Sequence, residues 1–478
     1  MSLGAVPERE PITDRDWLSL RAQLKGTLVL PAEQPAVIGV GKQLAAGKPL
    51  VRPQAWVRCT DAEDLRRAWD FVLEHGLPVG LRSGGHCFAD LSSSAGLLLD
   101  LELMNTWRLE GDRLICGPGC TSGQLNAELA RRGRRIPTGG CPSVGLGGLA
   151  LVGGFGFQGR STGLLSDQLD AAQALDAAGQ LIQVDEQEHA DLFWALRGAG
   201  AGQFAVLTEL NLRTSAAQAG TAVYARWTLE GAEERLQAWM AWAPTADERV
   251  NLEMQLTQGD DDEEPPCLEL FGLVMAVPSA AAQLLEPMRR ALGDGLRCWP
   301  LSESEAAAYC CGLLDRQGRP AWQPSRPYRE HGYQFTQSDF FDVSPQAGAW
   351  TELLRSFAAE RRYAEHREIE FIPWGGAYAR GPDSAFVHRQ ARALIRYTCV
   401  VGARSSQAQR EQALTWVRGV RGCLQPSANG EAYQGYADPW REDVLTAYYG
   451  RALARLREVK RRWDPDQRLR HAQSIAPV

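Results

Sequence analysis

The sequence predicts an α+β fold in which a long antiparallel-sheet region separates two parts of the chain built from short elements and glycine-rich loops. Three observations lead there. With 478 residues the chain exceeds one ordinary core, so two domains, or one composite domain with a large insertion, are expected. Up to about residue 212, short strands alternate with helices and glycine clusters. From Thr214 to about Leu424 the pattern changes to strands and helices rich in Trp and Tyr, and from Ala432 short motifs return.

In order along the chain, Ala55 to Arg58 reads as a strand, Ala62 to Glu74 as a helix and Pro78 to Arg82 as a second strand, a βαβ beginning. Gly96 to Asp100 and Arg113 to Cys116 look like further short strands. Ser122 to Arg132 reads as an amphipathic helix with Leu125 and Leu129 inward. Leu169 to Val184 carries a hairpin signal with its turn at residues 177–180. A short helix starts at Asp191, and Phe204 to Leu212 is a strand. In the middle region Val223 to Trp227 and Glu253 to Leu256 are strands, Ala232 to Trp242 is helical, and Gly259 to Pro266 is an acidic turn. An antiparallel sheet with helices on one face is the expected arrangement. A single amphipathic helix is expected from Val444 to Trp463.

Composition excludes several classes of function. Hydrophobic residues at 44% and charged residues at 23% are those of a globular protein. A net charge of -7 argues against nucleic acid as a partner, because phosphate binding needs a basic stripe. The cluster Arg131, Arg132, Arg134 and Arg135 is read as a solvated helix end. The first residues lack the apolar run of a signal peptide and no stretch has the length of a membrane span, so a soluble, cytoplasmic protein without a membrane partner is expected. The eleven cysteines are odd in number and lack CxxC spacing, which suggests neither a metal site nor a disulfide framework. Cys116, Cys399, Cys310 and Cys311 read as core residues.

The chemistry lies in the glycine-rich blocks. Residues 154–159, GFGFQG, match the dinucleotide pattern GxGxxG, but no helical period follows, so a nicotinamide site is not expected. Arg82, Ser83, Gly84, Gly85 and His86 are different: a strand ends in small residues whose backbone N–H groups can converge on a phosphate. Alone, a His after two glycines is more often a turn residue.

Five motifs in order remove that ambiguity: RSGGH from Arg82, GGCPSVGLGGLALVGGFGF from Gly139, GLLSDQL from Gly163, YQGYADP from Tyr433 and DPDQRLRHAQSI from Asp464. Together they resemble the berberine bridge enzyme-like oxidases, FAD proteins of the vanillyl-alcohol oxidase class with a PCMH-type FAD-binding domain. The likeness runs from about Ala55 to Leu212 and from about Ala432 to Ile475, and touches the middle mainly between Glu370 and Arg389. It implies a two-part FAD-binding domain, 1–213 and 425–478, with residues 214–424 inserted as the substrate domain.

The resemblance further implies FAD bonded covalently to His86 through the flavin 8α-methyl and to Cys141 through flavin C6. An imidazole and a thiolate are the nucleophiles such bonds need. Around them Val144, Gly145, Gly148, Gly153, Gly154, Gly156, Leu164 and Asp167 are expected at the cofactor, with Val144 favouring access of O2. In the family's YxNYxD motif tyrosine helps deprotonate the substrate, which carries over to Tyr433 and Tyr436, although Gly435 replaces the family's Asn. A second candidate base is Glu370, expected on one strand face with Ile372 and Trp374; Trp374 and Tyr378 are expected to line the substrate site. His388 is read as structural. The implied activity is oxidation of an alcohol on a sugar or secondary metabolite, with O2 as acceptor and hydrogen peroxide as product, by a monomer or homodimer. The alternatives are an oxidative cyclase or tailoring enzyme of natural-product biosynthesis, and a non-catalytic flavin-loaded binding protein.

Overall fold

A computed structural model describes residues 11–33, 51–259, 265–293, 295–320 and 332–477. Most of the acidic turn read at Gly259 to Pro266 lies outside the described residues.

The first layer is a four-stranded sheet in the order Thr27–Val29, Ala55–Arg58, Leu97–Asp100, Val79–Arg82. The last three strands run parallel. The Ala62–His75 helix connects Ala55–Arg58 to Val79–Arg82, starting where the Asp61 side chain accepts a hydrogen bond from the Asp64 amide and ending at Gly76, whose φ of 62° is left-handed. The expected βαβ unit is therefore present, but Leu97–Asp100 inserts between its two strands. A five-stranded sheet follows in the order Trp107–Glu110, Arg113–Cys116, Val206–Arg213, Leu169–Leu175, Leu181–Asp185. The expected hairpin is its Leu169–Leu175 and Leu181–Asp185 pair.

The third sheet is antiparallel and seven-stranded, in the order Arg297–Leu301, Gly220–Thr228, Cys267–Val274, Val250–Gln258, Glu365–Pro373, Ala393–Val401, Tyr333–Phe341. One face packs on the helices Ala232–Trp242, Pro278–Leu292, Ala347–Phe357 and Gln407–Leu424 in a core that includes Trp239, Leu285, Trp350 and Val417. The Glu303–Cys310 helix departs from the expected one-sided arrangement. Its Ala306 and Tyr309 pack with Ala222, Leu273 and Met275, which point the other way along their strands.

Period-two patterning explains that second face. Along Val250–Gln258, Leu252, Met254 and Leu256 enter the helix-covered core, so Asn251, Glu253, Gln255 and Thr257 point oppositely. Such a face usually meets water. Here Asn251, Glu253 and Gln255 are buried: the Asn251 amide donates to the Gly156 carbonyl oxygen of the glycine-rich stretch at 3.1 Å, Glu253 faces a cavity, and Arg316 donates to Gln255. Arg160, also buried, donates to the carbonyl oxygens of Ala243, Pro244, Ala246 and Val250. That guanidinium ties the glycine-rich stretch to the end of the Ala232–Trp242 helix.

Two local expectations are corrected. The helix expected over Val444 to Trp463 breaks into Val444–Tyr449 and Leu453–Trp463, because Gly450 has φ 41° and opens a short 3-10 turn. Arg134 and Arg135 are not a solvated helix end: they form a two-residue strand paired with Ser215–Ala216, and Arg135 is buried, donating to the Ala216 carbonyl oxygen. GFGFQG leads only into the one-turn Gly159–Thr162 helix. No disulfide joins the described cysteines, and Cys116, Cys310, Cys311 and Cys399 are buried. Among the described residues no helix is long and apolar enough to cross a membrane.

Candidate active site

Between the glycine-rich stretch and the polar face of the seven-stranded sheet lies a cavity of about 870 Å3, toward the upper end of the roughly 300–1,000 Å3 of small-molecule sites. Ser83, Gly84, Gly85, His86, Cys141, Val144, Gly145, Gly148 and Gly156 line one side. Glu370, Tyr433 and Tyr436 line it as well. Residues distant in sequence thus meet in one space.

The first wall is made of backbone. Ser83 donates its hydroxyl to the Pro118 carbonyl oxygen at 2.6 Å, fixing the turn that follows the Val79–Arg82 strand. A Cβ on Gly84 would stand 2.3 Å from the Gly145 nitrogen, and one on Gly145 would stand 2.0 Å from Ser83 Oγ. The two loops touch only because both residues lack side chains. Gly85, at φ 75°, then turns the chain so that His86 faces the cavity. Its Nε2 lies 3.0 Å from Ser143 Oγ, and burial pushes its pKa down to about 4. The imidazole is therefore neutral and nucleophilic at pH 7.

The opposite wall is made of side chains. Strand register sets Glu269 opposite Gln255, Gln255 opposite Glu370, and Glu370 opposite Arg396. Arg396 Nη2 pairs with Glu370 at 3.0 Å and also with Glu368. Arg316 pairs with Glu269 at 2.6 Å, and Glu269 accepts from the Tyr224 hydroxyl at 2.7 Å. Glu253, from the next row, also faces the cavity. Burial raises the pKa of Glu370 despite Arg396, and raises that of Glu253 further, with the Glu370 charge as the second cause. The Glu365–Pro373 strand that carries Glu370 is an inner strand, paired on both sides.

The two tyrosines differ. Arg396 stands 5.2 Å from the Tyr436 ring centre; burial raises the Tyr436 pKa well above the ordinary phenol value and Arg396 opposes the rise. Tyr433 accepts a hydrogen bond from the Gly154 amide at 3.2 Å and folds back over Gly435. A Cβ at 435 would meet its ring at 2.4 Å. The replacement of Asn by Gly435 is thus coupled to the position of Tyr433.

Several expected residues stand behind the walls. Trp374 and Tyr378 do not line the cavity: both are fully buried and stacked with ring centres 4.4 Å apart, and Tyr378 donates to the Gly156 carbonyl oxygen at 3.0 Å. Trp374 lies beyond the end of the Glu365–Pro373 strand, so only Glu370 and Ile372 share the expected face. Asp167 is held by Arg389 at 2.7 and 2.8 Å, Leu164 packs with Phe386 and Trp374, and Gly153 lies against Phe386. Gly154 reaches Tyr433 but not the cavity, and Arg82 is buried with its Nη2 donating to Ser93 at 3.2 Å. His388 is buried beside Glu431, its Nδ1 2.8 Å from the carboxyl, consistent with a structural part.

Sequence reading missed Glu253, Glu269, Arg316, Arg396, His471 and Gln473, all on the cavity wall. For Glu253 a signal existed in the strict alternation of Val250–Gln258. For Arg316, in a loop, there was none.

The residues present fit a flavin dinucleotide. Gly140 and Gly148 line the cavity with nothing within 4 Å of where a Cβ would stand, a cradle that a side chain would fill, and Gln434 Oε1 and Gln473 Oε1 are buried in the wall without a hydrogen-bond donor. Comparison with known proteins agrees. Residues 53–185 match the family described as FAD binding domain, and residues 432–476 the family described as berberine and berberine like. The uncharacterized FAD-linked oxidoreductase YvdP of Bacillus subtilis is 30% identical over 437 residues, covering 89% of this chain and 93% of that protein. (R)-6-hydroxynicotine oxidase of Paenarthrobacter nicotinovorans is 27% identical over 461 residues, covering 90% and 93%. The structure of glucooligosaccharide oxidase from Acremonium strictum, described with a 6-S-cysteinyl, 8α-N1-histidyl FAD, superposes with a TM-score of 0.82 at 21% identity, covering 96% of this chain and 99% of that one. Fold and site therefore define an FAD-linked oxidoreductase. Within that class, the chain belongs to the berberine bridge enzyme-like family of oxidases.

Proposed function

We propose that this protein is an oxidase whose FAD is bonded to both His86 and Cys141, and that it oxidises a hydroxyl-bearing carbon of a small molecule with O2 as acceptor, releasing hydrogen peroxide. The observation that carries the reading is that His86 and Cys141 line the same cavity as Glu370 and Tyr436. Residues 1–213 and 425–478 then hold the cofactor, and 214–424 supply the substrate wall. Bound flavin supplies a two-electron acceptor for hydride. Neutral His86 and the Cys141 thiol, on the two glycine-rich loops of the wall, are groups able to attach it.

The chain's own residues orient the substrate and take its proton. Glu370, buried and aligned by Arg396, is a carboxylate that can accept a hydroxyl proton. Tyr436, beside the same guanidinium, hands the proton on. Tyr433 is held by Gly154 and positions rather than exchanges protons. Val144 keeps a small side chain at the wall and leaves room for oxygen.

Absorbance and intact mass of acid-precipitated protein test the reading. Wild type, His86→Ala and Cys141→Ala should each retain flavin through denaturation, and the double variant should lose it. Colourless wild-type precipitate would overturn the double attachment, and failure of the reduced protein to consume oxygen would overturn the oxidase assignment.

A further inference from the structure

The polar sheet face holds more carboxyl groups than the cations beside them can pair. Glu253, Glu269, Glu368 and Glu370 stand on three neighbouring strands, Glu253, Glu269 and Glu370 on the cavity wall itself. Arg316 is engaged by Glu269 at 2.6 Å, and Arg396 is shared by Glu368 and Glu370. Glu253 makes no ion pair among the described residues, and it is only 6% exposed. The register that pairs Met254 with Phe371 and Gln255 with Glu370 makes Glu253 and Glu370 diagonal neighbours on one face, within reach of each other's carboxyls. Two carboxylates so close, in a buried site, cannot both ionise near neutral pH.

We propose that Glu253 and Glu370 hold a single proton between them, and that Glu253 is a positioning residue whose carboxylic acid donates to Glu370 and keeps it the anion of the pair. The proposal deepens the oxidase reading and rests on it. Glu370 is the anionic member because Arg396 touches it. The direction of the shifts agrees: hydrogen bonding to Glu370 holds the proton on Glu253, and hydrogen bonding from Glu253 favours the Glu370 anion.

The consequence for turnover is a proton balance. As the substrate O–H bond breaks, its proton forms a new O–H bond on Glu370. The pair passes from one proton to two, losing its negative charge, and returns to one by releasing a proton to solvent through Tyr436. Throughout, Glu253 keeps Glu370 from turning away, while Glu269, the other carboxyl diagonal to Glu253, is held by Arg316 and Tyr224. Arg396, Arg316, Glu269, Glu368, Tyr309 and Tyr436 are the charged and titratable groups that face the pair, with Glu269 taken up by Arg316 and Tyr224 and with Tyr378 behind the wall, and the pair titrates in two steps that belong to both carboxyls.

Infrared difference spectroscopy of the flavin-loaded protein, with oxygen consumption measured alongside, tests this. The carbonyl stretch of an un-ionised carboxyl is expected in wild type at pH 7 and is expected to vanish in Glu253→Gln, whose amide still donates to Glu370 and keeps most activity. Glu253→Leu, which removes the donor, should move the acid limb of the kcat/KM profile to higher pH, because Glu370 then faces burial without its hydrogen bond. A structural role alone would leave that limb in place. An active wild type without the acid band, a band unchanged in Glu253→Gln, or an unmoved limb in Glu253→Leu would each overturn the proposal. If the band behaves as expected in a protein that neither keeps flavin nor consumes oxygen, the oxidase reading fails and the shared proton stands.

Discussion

One wall of the cavity is backbone and the other is side chain. The Ser83–His86 and Cys141–Gly156 segments approach each other through absent Cβ atoms, as the 2.3 Å from a Gly84 Cβ to the Gly145 nitrogen illustrates. Across the cavity, Glu253, Glu269, Glu370 and Arg396 meet only because their strands are in register, and Arg316 reaches in from a loop. A backbone wall has no tolerance for volume, whereas a wall of paired charges tolerates volume but not loss of a partner. The two regions should therefore fail in different ways.

The largest expected effect is at the backbone wall. Gly84→Val or Gly145→Val forces the two loops apart, and nearly all bound flavin should be lost, read as the ratio of flavin to protein absorbance. Retention of normal flavin content would show that the loops separate without consequence and would break the contrast.

On the side-chain wall the next effect is kinetic. Tyr436→Phe should lower kcat by roughly 10²–10⁴-fold, the range for loss of a proton-transfer group, with flavin content unchanged. Tyr433→Phe removes only the acceptor for the Gly154 amide and should cost about 1 kcal/mol of stability in urea unfolding. Equal kinetic losses in the two variants would erase the distinction between them.

Where the walls join, Arg160→Met leaves the carbonyl oxygens of Ala243, Pro244, Ala246 and Val250 without their donor. A loss of about 1–3 kcal/mol in denaturant unfolding is expected from buried carbonyl oxygens left unpaired, with kcat of the folded fraction little changed.

A smaller effect concerns pH. Burial pushes the His471 imidazole down to about 4 from 6.5. The unfolded chain takes up this proton below about 6.5, the folded chain only near 4, so this residue makes stability fall as pH drops between those values. His471→Asn should flatten that part of a melting-temperature profile. The smallest change is expected from Gly435→Asn: its Cβ displaces the Tyr433 ring, shifting flavin absorbance while leaving kcat well above that of Tyr436→Phe.

The difference between the walls also explains what could be read beforehand. Successive glycines, a histidine after a strand and a cysteine three residues before Val144 are local patterns, and the structure puts His86, Cys141, Val144, Gly145 and Gly148 on the cavity. The resemblance put Gly153, Leu164 and Asp167 at the cofactor, but in the structure they are off the cavity wall, with Phe386, Trp374 and Arg389 as neighbours. Trp374 and Tyr378, expected on the substrate wall, stack their rings behind it.

By itself the sequence determined the α+β class, the change of character near Thr214 and the glycine-made wall, because φ/ψ freedom and the missing Cβ are properties of a residue and its immediate neighbours. It also placed Glu253 at the start of one strand and Glu370 on another. Only the tertiary structure decided that the two share a buried polar face, that Glu253 lies diagonal to Glu370, and that Arg316 and Arg396 enter the same cavity. Those facts depend on strand register and sheet order, which bring together residues more than a hundred positions apart, and no local pattern encodes which strand becomes a neighbour.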